Sequence, residues 1–262
     1  INKERIRVHF LAKAAMVAKL LSIRLGNRVE YEIVLHGSDL YSRGSSLLSV
    51  LQGADRLECV TIFGHGFVSG LLGDVAKARV VRNTISTDIV YSPMKNKEKS
   101  LVFIGRLVDQ KDVFFALKVF EQLIIRNSAI CRLDVVGSGY LLEELKAFVT
   151  QSRYLSPENV IFHGAVDNKI VSKRISESWG VIIPCSDKVM ANTDGLPVVF
   201  QEALRLGRPV FTRKIMGVYE FVIDGLNGFC FERDTSESIW AEKIDDFEYS
   251  PQSIAEISRL QF

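Results

Sequence analysis

The chain is short of the residue types that announce a chemistry by themselves. Its four cysteines, Cys59, Cys131, Cys185 and Cys230, are far apart and form no C-x-x-C pair. Each sits beside apolar residues, which argues against a disulfide framework and suggests no metal site; reduced thiols in a core fit better. Charge of one sign is equally scarce. With 33 Lys and Arg against 31 Asp and Glu, the net charge is +2, and without a long run of one sign no strong field for nucleic acid is implied. No stretch reaches the roughly 18 to 20 apolar residues of a membrane span. The N-terminus also lacks the basic-then-apolar layout of a secretory leader. A cytoplasmic protein is the expectation, with peripheral contact at the inner face of the membrane left open.

What the chain does have is apolar residues: 47% of 262, enough for one large or two modest domains. From residue 101 onward short β-branched runs alternate with amphipathic segments: LVFI (101–104), VFFALKVFEQLI, RLDVVG (132–137), LLEELKAFV, NVIFHG and VIIP. That alternation predicts an α/β fold with a parallel sheet covered on both faces. The first 90 residues repeat the grammar less completely, with a helix near 9–25, a strand at VEYEIVLHG (29–37) and short strands near 57–62 and 79–82. Between the halves, YSPMKNKEKS (91–100) has the polar, Pro-broken composition of a linker. The expected domains are therefore 1–94 and 95–262, the second closed by helices past residue 235.

Two strand ends in the second half carry the candidate chemistry. In open parallel sheets ligands bind outside the carboxyl ends of strands, where helix N-termini point N–H groups at anions. LVFIGRLVDQK runs a buried strand into Gly105, with Arg106 and Lys111 five apart on the loop that follows. A glycine lets backbone approach closely, a guanidinium grips phosphate through two bonds and a lysine adds a point charge, so a diphosphate is a suitable guest. In isolation the same two cations read as solvated surface charges. The second end is TDGLPVVFQEA, where Pro197 suits a first helical turn and the amides of Val198 and Val199 can face a phosphate. Glu202 falls in the next turn, where a carboxylate can accept from vicinal ribose hydroxyls; Asp194, before the turn, can do the same for a hexose. Taken alone, Asp194 is more often an N-cap or turn residue and Glu202 an exposed helix charge.

These residues resemble the retaining glycosyltransferases of the GT-B fold, family 4 (glycosyl transferases group 1). DGLPVVFQEA is similar to that family's E-G-x-P-x-x-x-x-E-A, and GRLVDQKD to its G-R-L-x-x-x-K-G. LDVVGSG, VIFHG, GRPVFT and VIDGLNGF extend the likeness in order and spacing over about residues 101–232. The resemblance implies two Rossmann-like domains facing a cleft, the N-terminal one truncated, and transfer of a hexose from a nucleoside diphosphate sugar to a hydroxyl, in surface polysaccharide or glycolipid synthesis. It makes Arg106 and Lys111 diphosphate ligands, Glu202 the ribose ligand and Asp194 the donor-sugar carboxylate. Gly105, Gly195, Leu196, Pro197, Val198 and Val199 supply backbone contacts. IRVHFLAKAAMVAKLL followed by YEIVLHGSDL is similar to the family's acceptor-side helix, strand and H-G-x-D loop, which brings His36 to the reacting sugar. His9, His65 and His163 read as structural.

Two departures stand out: Asp194 is one methylene shorter than the family's glutamate, and Asp112 replaces the glycine after the lysine. The resemblance implies a UDP- or GDP-sugar donor, no cofactor and no metal, with a sugar or lipid-linked sugar as acceptor and no nucleic acid. A partner polypeptide completing the N-terminal domain is one way to account for the absent strands. A nucleotide-sugar 2-epimerase and a non-catalytic nucleotide-sugar-binding subunit or fragment are the alternatives.

Overall fold

A computed structural model describes residues 4–9, 13–26, 29–36, 48–73, 77–83, 89–91, 93, 98–186, 197–215 and 217–261. Its contacts divide into two compact units. The described residues within 4–83, with 217–220, form the first, and those within 89–186, 197–215 and 221–261 the second.

The first unit is a four-stranded parallel sheet in the order β1 (Glu4–His9), β2 (Val29–Leu35), β3 (Arg56–Cys59), β4 (Ala78–Val80). Helices α1 (Lys13–Leu25), α2 (Leu48–Gly53) and α3 (Ile62–Leu72) accompany it. Strand periodicity sorts the side chains: Val8, Tyr31, Ile33, Leu35 and Leu57 share a core with Ala15 and Ala18 of α1 and Val68 of α3. The opposite face is a charge ladder. Glu58, almost fully buried, pairs with Arg7 and Arg79, and Arg79 also approaches Glu32 at 3.6 Å. Burial would raise the Glu58 carboxyl, but hydrogen bonds from Arg79 and Glu32 and the charge of Arg7 hold it below its ordinary range. Burial and that same neighbour push Glu32 up. One face of this sheet is thus polar, where the alternation of Glu30 and Glu32 in VEYEIVL already departs from a strand buried on both sides.

Two elements here differ from the sequence expectation. Residues 4–9 form a strand ahead of α1, because β-branched Ile6 and Val8 alternate with arginines and pair in register with Tyr31 and Ile33. The strand expected near 57–62 stops at Cys59, and a helix starts at Ile62. Thr61 caps it, accepting from the Gly64 amide at 2.9 Å, and the Glu220 carboxylate accepts from the Ile62 and Phe63 amides at 2.9 and 2.8 Å. Carboxylate and hydroxyl on the first-turn amides offset the poor helix propensity of Gly64, Gly66 and Gly70. Arg82 pairs with the same carboxylate at 2.6 Å.

The second unit is a six-stranded parallel sheet in the order β10 (Gly228–Phe231), β9 (Val210–Arg213), β8 (Gly180–Ile182), β5 (Lys99–Ile104), β6 (Ile130–Val136), β7 (Val160–Gly164). Its helices are α4 (Val113–Ile125), α5 (Leu142–Gln151), α6 (Asn168–Glu177), α7 (Val198–Arg205), α8 (Glu237–Asp245) and α9 (Pro251–Gln261). The chain runs outward from β5 through β6 and β7, then returns to β8 on the other side of β5 and continues outward through β9 and β10. The order therefore reverses between β5 and β8, the switch point at which open α/β sheets bind ligands.

An aromatic cluster closes the far end of this sheet, with Trp179 stacked on Phe211 at 5.7 Å and Phe231 on Trp240 at 4.0 Å. Arg208 is fully buried beside it and donates to the carbonyls of Leu206 and Ser176, near the C-terminal ends of α7 and α6. Those carbonyls lack intrahelical partners, so the cation satisfies groups that burial would otherwise strand. Among the described residues no helix is long and apolar enough to cross a membrane.

Candidate active site

The loop after β5 is built by close backbone packing against the loop after β6. The Gly105 amide donates to Val136 O at 3.0 Å and the Leu107 amide to Ser138 O at 2.9 Å. Only glycine fits on the facing strand end: a Cβ at Gly137 would lie 1.8 Å from Gly105 O, and one at Gly139 would lie 2.2 Å from Leu107 O. LDVVGSG is thereby explained as a wall of the loop, and Tyr140 just after it pins the loop by donating its hydroxyl to Asp109.

Residues Asp109–Lys111 form one short 3-10 turn, which ends at α4. It turns Lys111 back so that its side chain lies along Gly105; a Cβ there would sit 3.4 Å from Lys111 Cε. Lys111 is buried to 8% exposure, unusual for a lysine. Arg106 is exposed and donates to Gln110 Oε1 at 3.2 Å. The Gln110 carbonyl in turn accepts from the Ser186 amide at 2.7 Å. That bond ties the loop after β5 to the segment that directly follows β8, at the switch point of the sheet.

The departure at Asp112 has a structural answer. Asp112 adopts φ 50°, ψ 52°, the left-handed region that favours glycine. Its carboxylate makes no helix-capping bond and instead accepts from Arg213 Nη1 at 2.6 Å. The same Nη1 donates to Cys185 O at 3.2 Å, and the guanidinium lies 4.1 Å from the Phe115 ring centroid. The loop keeps the glycine conformation without the glycine.

At the second strand end, Pro197 is the N-cap of α7 rather than a residue of its first turn, with φ −60° and ψ 126°. The restriction proline places on its own φ fits the position just before the helix equally well. Val198 opens the helix at 47% exposure, Val199 is half-buried, and a helix starting there leaves its first amides without intrahelical acceptors. Glu202 is half-buried, and burial raises its carboxyl above the ordinary range. A carboxylate held partly out of water gains from any hydrogen-bond donor that reaches it. Asp194, Gly195 and Leu196 lie outside the described residues.

His36 belongs to the first unit, at the carboxyl end of β2. Its Nε2 is 3.0 Å from Nδ1 of His9 at the end of β1, with the rings stacked at 5.3 Å. His9 therefore has a polar neighbour that its place in the sequence does not reveal, brought to it by the parallel pairing of β1 with β2. His163 likewise has a partner, Asp134 Oδ1 at 2.6 Å. Arg213 was not singled out in the sequence either, although a charge directly after the apolar run PVFT is its trace. Among the described residues no group of three or more His, Cys, Asp or Glu could hold a metal ion.

Comparison with known proteins places this architecture. Residues 86–259 match the glycosyl transferases group 1 family, and the chain belongs to that family. An uncharacterised glycosyltransferase of Methanocaldococcus jannaschii is 22% identical over 247 residues, covering 91% of this chain and 64% of the relative. The N-acetyl-alpha-D-glucosaminyl L-malate synthase of Bacillus anthracis is also 22% identical, over 88% of this chain and 62% of that one. The chain thus spans less than two thirds of the length of these relatives. Among solved structures, the lipopolysaccharide outer core galactosyltransferase WaaB aligns with a TM-score of 0.76 at 16% identity, over 98% of this chain and 71% of WaaB. HepE of Anabaena, solved with UDP and glucose, aligns with a TM-score of 0.76 at 15% identity, over 97% and 72%. The fold is that of the GT-B glycosyltransferases.

Proposed function

We propose that this protein transfers a hexose from a UDP- or GDP-sugar to a hydroxyl acceptor with retention of anomeric configuration, in surface polysaccharide or glycolipid synthesis. The observation that carries this reading is the Gln110–Ser186 bond at the switch point, which joins the Gly105–Lys111 loop to the strand end leading to α7. A diphosphate at this point meets the Arg106 guanidinium, the Lys111 ammonium and the first amides of α7, and these offset the charge that develops as it departs. Glu202 accepts the ribose hydroxyls, and Asp194 serves the hexose. The bond from the anomeric carbon to the phosphate oxygen breaks and one to the acceptor oxygen forms on the same face. The acceptor proton passes to the departing diphosphate, so no protein nucleophile or metal is called for. That HepE holds UDP and glucose supports the donor class.

The exposed apolar face of α1 and the outer edge of β1 support the further reading that another polypeptide segment completes the first unit; shallow contact with a membrane surface is the other occupant that face suits. Isothermal titration with UDP, GDP and ADP, followed by NMR of product anomers from the matching sugar donor, tests the function. Binding of UDP or GDP at micromolar level, with ADP weaker, and an α-linked product from an α-linked donor are expected. Absence of binding to all three, or an inverted product, overturns it.

A further inference from the structure

We infer that Arg213 is a positioning residue for the donor diphosphate, acting through Asp112 to hold Lys111 in place. The inference rests on the reading that Lys111 meets that diphosphate. Three observations lead to it. Asp112 occupies a left-handed conformation directly between the 3-10 turn that carries Lys111 and the first residue of α4. A side chain with a Cβ is disfavoured there, so something must hold it. Arg213 does so from two strands away: it reaches from the end of β9, past Cys185 O beyond β8, to the Asp112 carboxylate at 2.6 Å. Its guanidinium is fixed from the side by the Phe115 ring in the first turn of α4.

The pair is also nearly out of water, the side chains being 10% and 19% exposed. A buried charge whose partner is lost is costly, so neither residue is free to relax independently. If Asp112 leaves the left-handed region, the 3-10 turn and the start of α4 no longer meet at their present angle, and Lys111 swings away from Gly105. Misplacement of a binding group by about an ångström is enough to lose most of its effect on a ligand. Arg213 bonds to the Asp112 side chain, so its influence on Lys111 passes through one backbone conformation.

That route makes a sharp test, because glycine adopts the left-handed conformation without assistance. UDP and GDP are titrated calorimetrically against the wild type, Lys111→Ala, Arg213→Gln, Asp112→Gly and the Asp112→Gly/Arg213→Gln pair, with circular dichroism and Tm recorded for each. Arg213→Gln is expected to weaken the nucleotide by about tenfold, the scale of one lost charge-assisted contact, and Arg213→Lys to recover part of it. Asp112→Gly should bind within about twofold of wild type, and adding Arg213→Gln to it should change little further. An equal loss on replacing Arg213 in both backgrounds, or wild-type affinity in a folded Arg213→Gln, overturns the inference. If Arg213→Gln alone does not fold, the comparison of Asp112→Gly with the double variant decides: a difference beyond about threefold overturns it. Wild-type affinity in Lys111→Ala instead overturns the reading of the site on which the inference stands.

Discussion

Two helices of equal length show how differently the two units use apolar sequence. Both α1 and α4 have 13 residues and both are mostly apolar. In α4, Val113, Ala116, Leu117, Val119, Phe120 and Leu123 are buried, because the helix lies between its sheet and α8; Phe115 meets Trp240 at 5.1 Å, edge to face. In α1 the residues packed into the core are Ala15 and Ala18, while Met16, Val17, Leu20, Leu21, Ile23 and Leu25 are exposed. Composition did not decide burial; α4 is covered by α8 as well as by its sheet. A helix apolar all round belongs inside a structure, and a cluster of this size on a surface marks an interaction face.

The largest expected effect lies in the covered helix. Leu117→Ala or Phe120→Ala should destabilise the chain by about 3 to 5 kcal/mol, because each removes a fully buried side chain and leaves a cavity in a two-sided core. Urea titration measures it, and a loss below about 1 kcal/mol would mean that α4 is not held on both sides.

Next in size are the cations of the loop that leads into α4. Arg106→Ala and Lys111→Ala should each weaken nucleoside diphosphate binding by about 1.5 to 3 kcal/mol, the scale of charge-assisted hydrogen bonds. Tm should move little for exposed Arg106. Unchanged calorimetric affinity in both variants would remove the diphosphate from this loop.

A smaller effect, with a definite sign, belongs to Glu202. Burial raises its folded-state carboxyl, so the ionised form destabilises the unliganded protein above that raised value, and the cost disappears as pH falls below the ordinary value of about 4.5. Glu202→Gln should therefore have a higher Tm than wild type at pH 7, an advantage that shrinks as pH is lowered, while binding UDP more weakly at pH 7. A Tm advantage that grows on acidification would contradict the burial argument.

Legibility in the sequence follows the same divide. β5, β6 and β8 are covered on both faces, so they stand out as apolar runs bounded by turns, and the loop from Gly105 to Lys111 and the helix that carries Glu202 follow from local spacing. β1 was overlooked because its outward residues are arginines with distant partners: Glu30 for Arg5, and for Arg7 Glu58, 51 positions away. α3 was hidden by three glycines and is secured partly by Glu220, 158 positions from Ile62. Asp112 was visible as a departure from the family pattern, but its compensation by Arg213 is 101 positions distant. What local chemistry fixes could be read; what long-range pairing fixes could not.

The smallest expected effect completes the comparison, because it concerns substitutions on α1 that should do almost nothing to the isolated chain. Leu20 is 65% exposed and Ile23 67%, so Leu20→Glu and Ile23→Glu remove little buried area, and exposed substitutions of this kind change stability by about 0.5 kcal/mol or less. Glutamate is also a good helix former, so propensity does not oppose the change. Their consequence should appear in association instead. Sedimentation of the wild-type chain at rising concentration should show self-association or aggregation driven by the open apolar face, and the double variant should remain monodisperse. A further polypeptide segment seated on α1 would reverse the ranking, since the same glutamates would then face a desolvated surface and block its binding. If Leu20→Glu alone lowers the Tm of the isolated chain by more than about 5 °C, the shift that 1 kcal/mol or so produces in a domain of this kind, then α1 is already covered and its contrast with α4 fails.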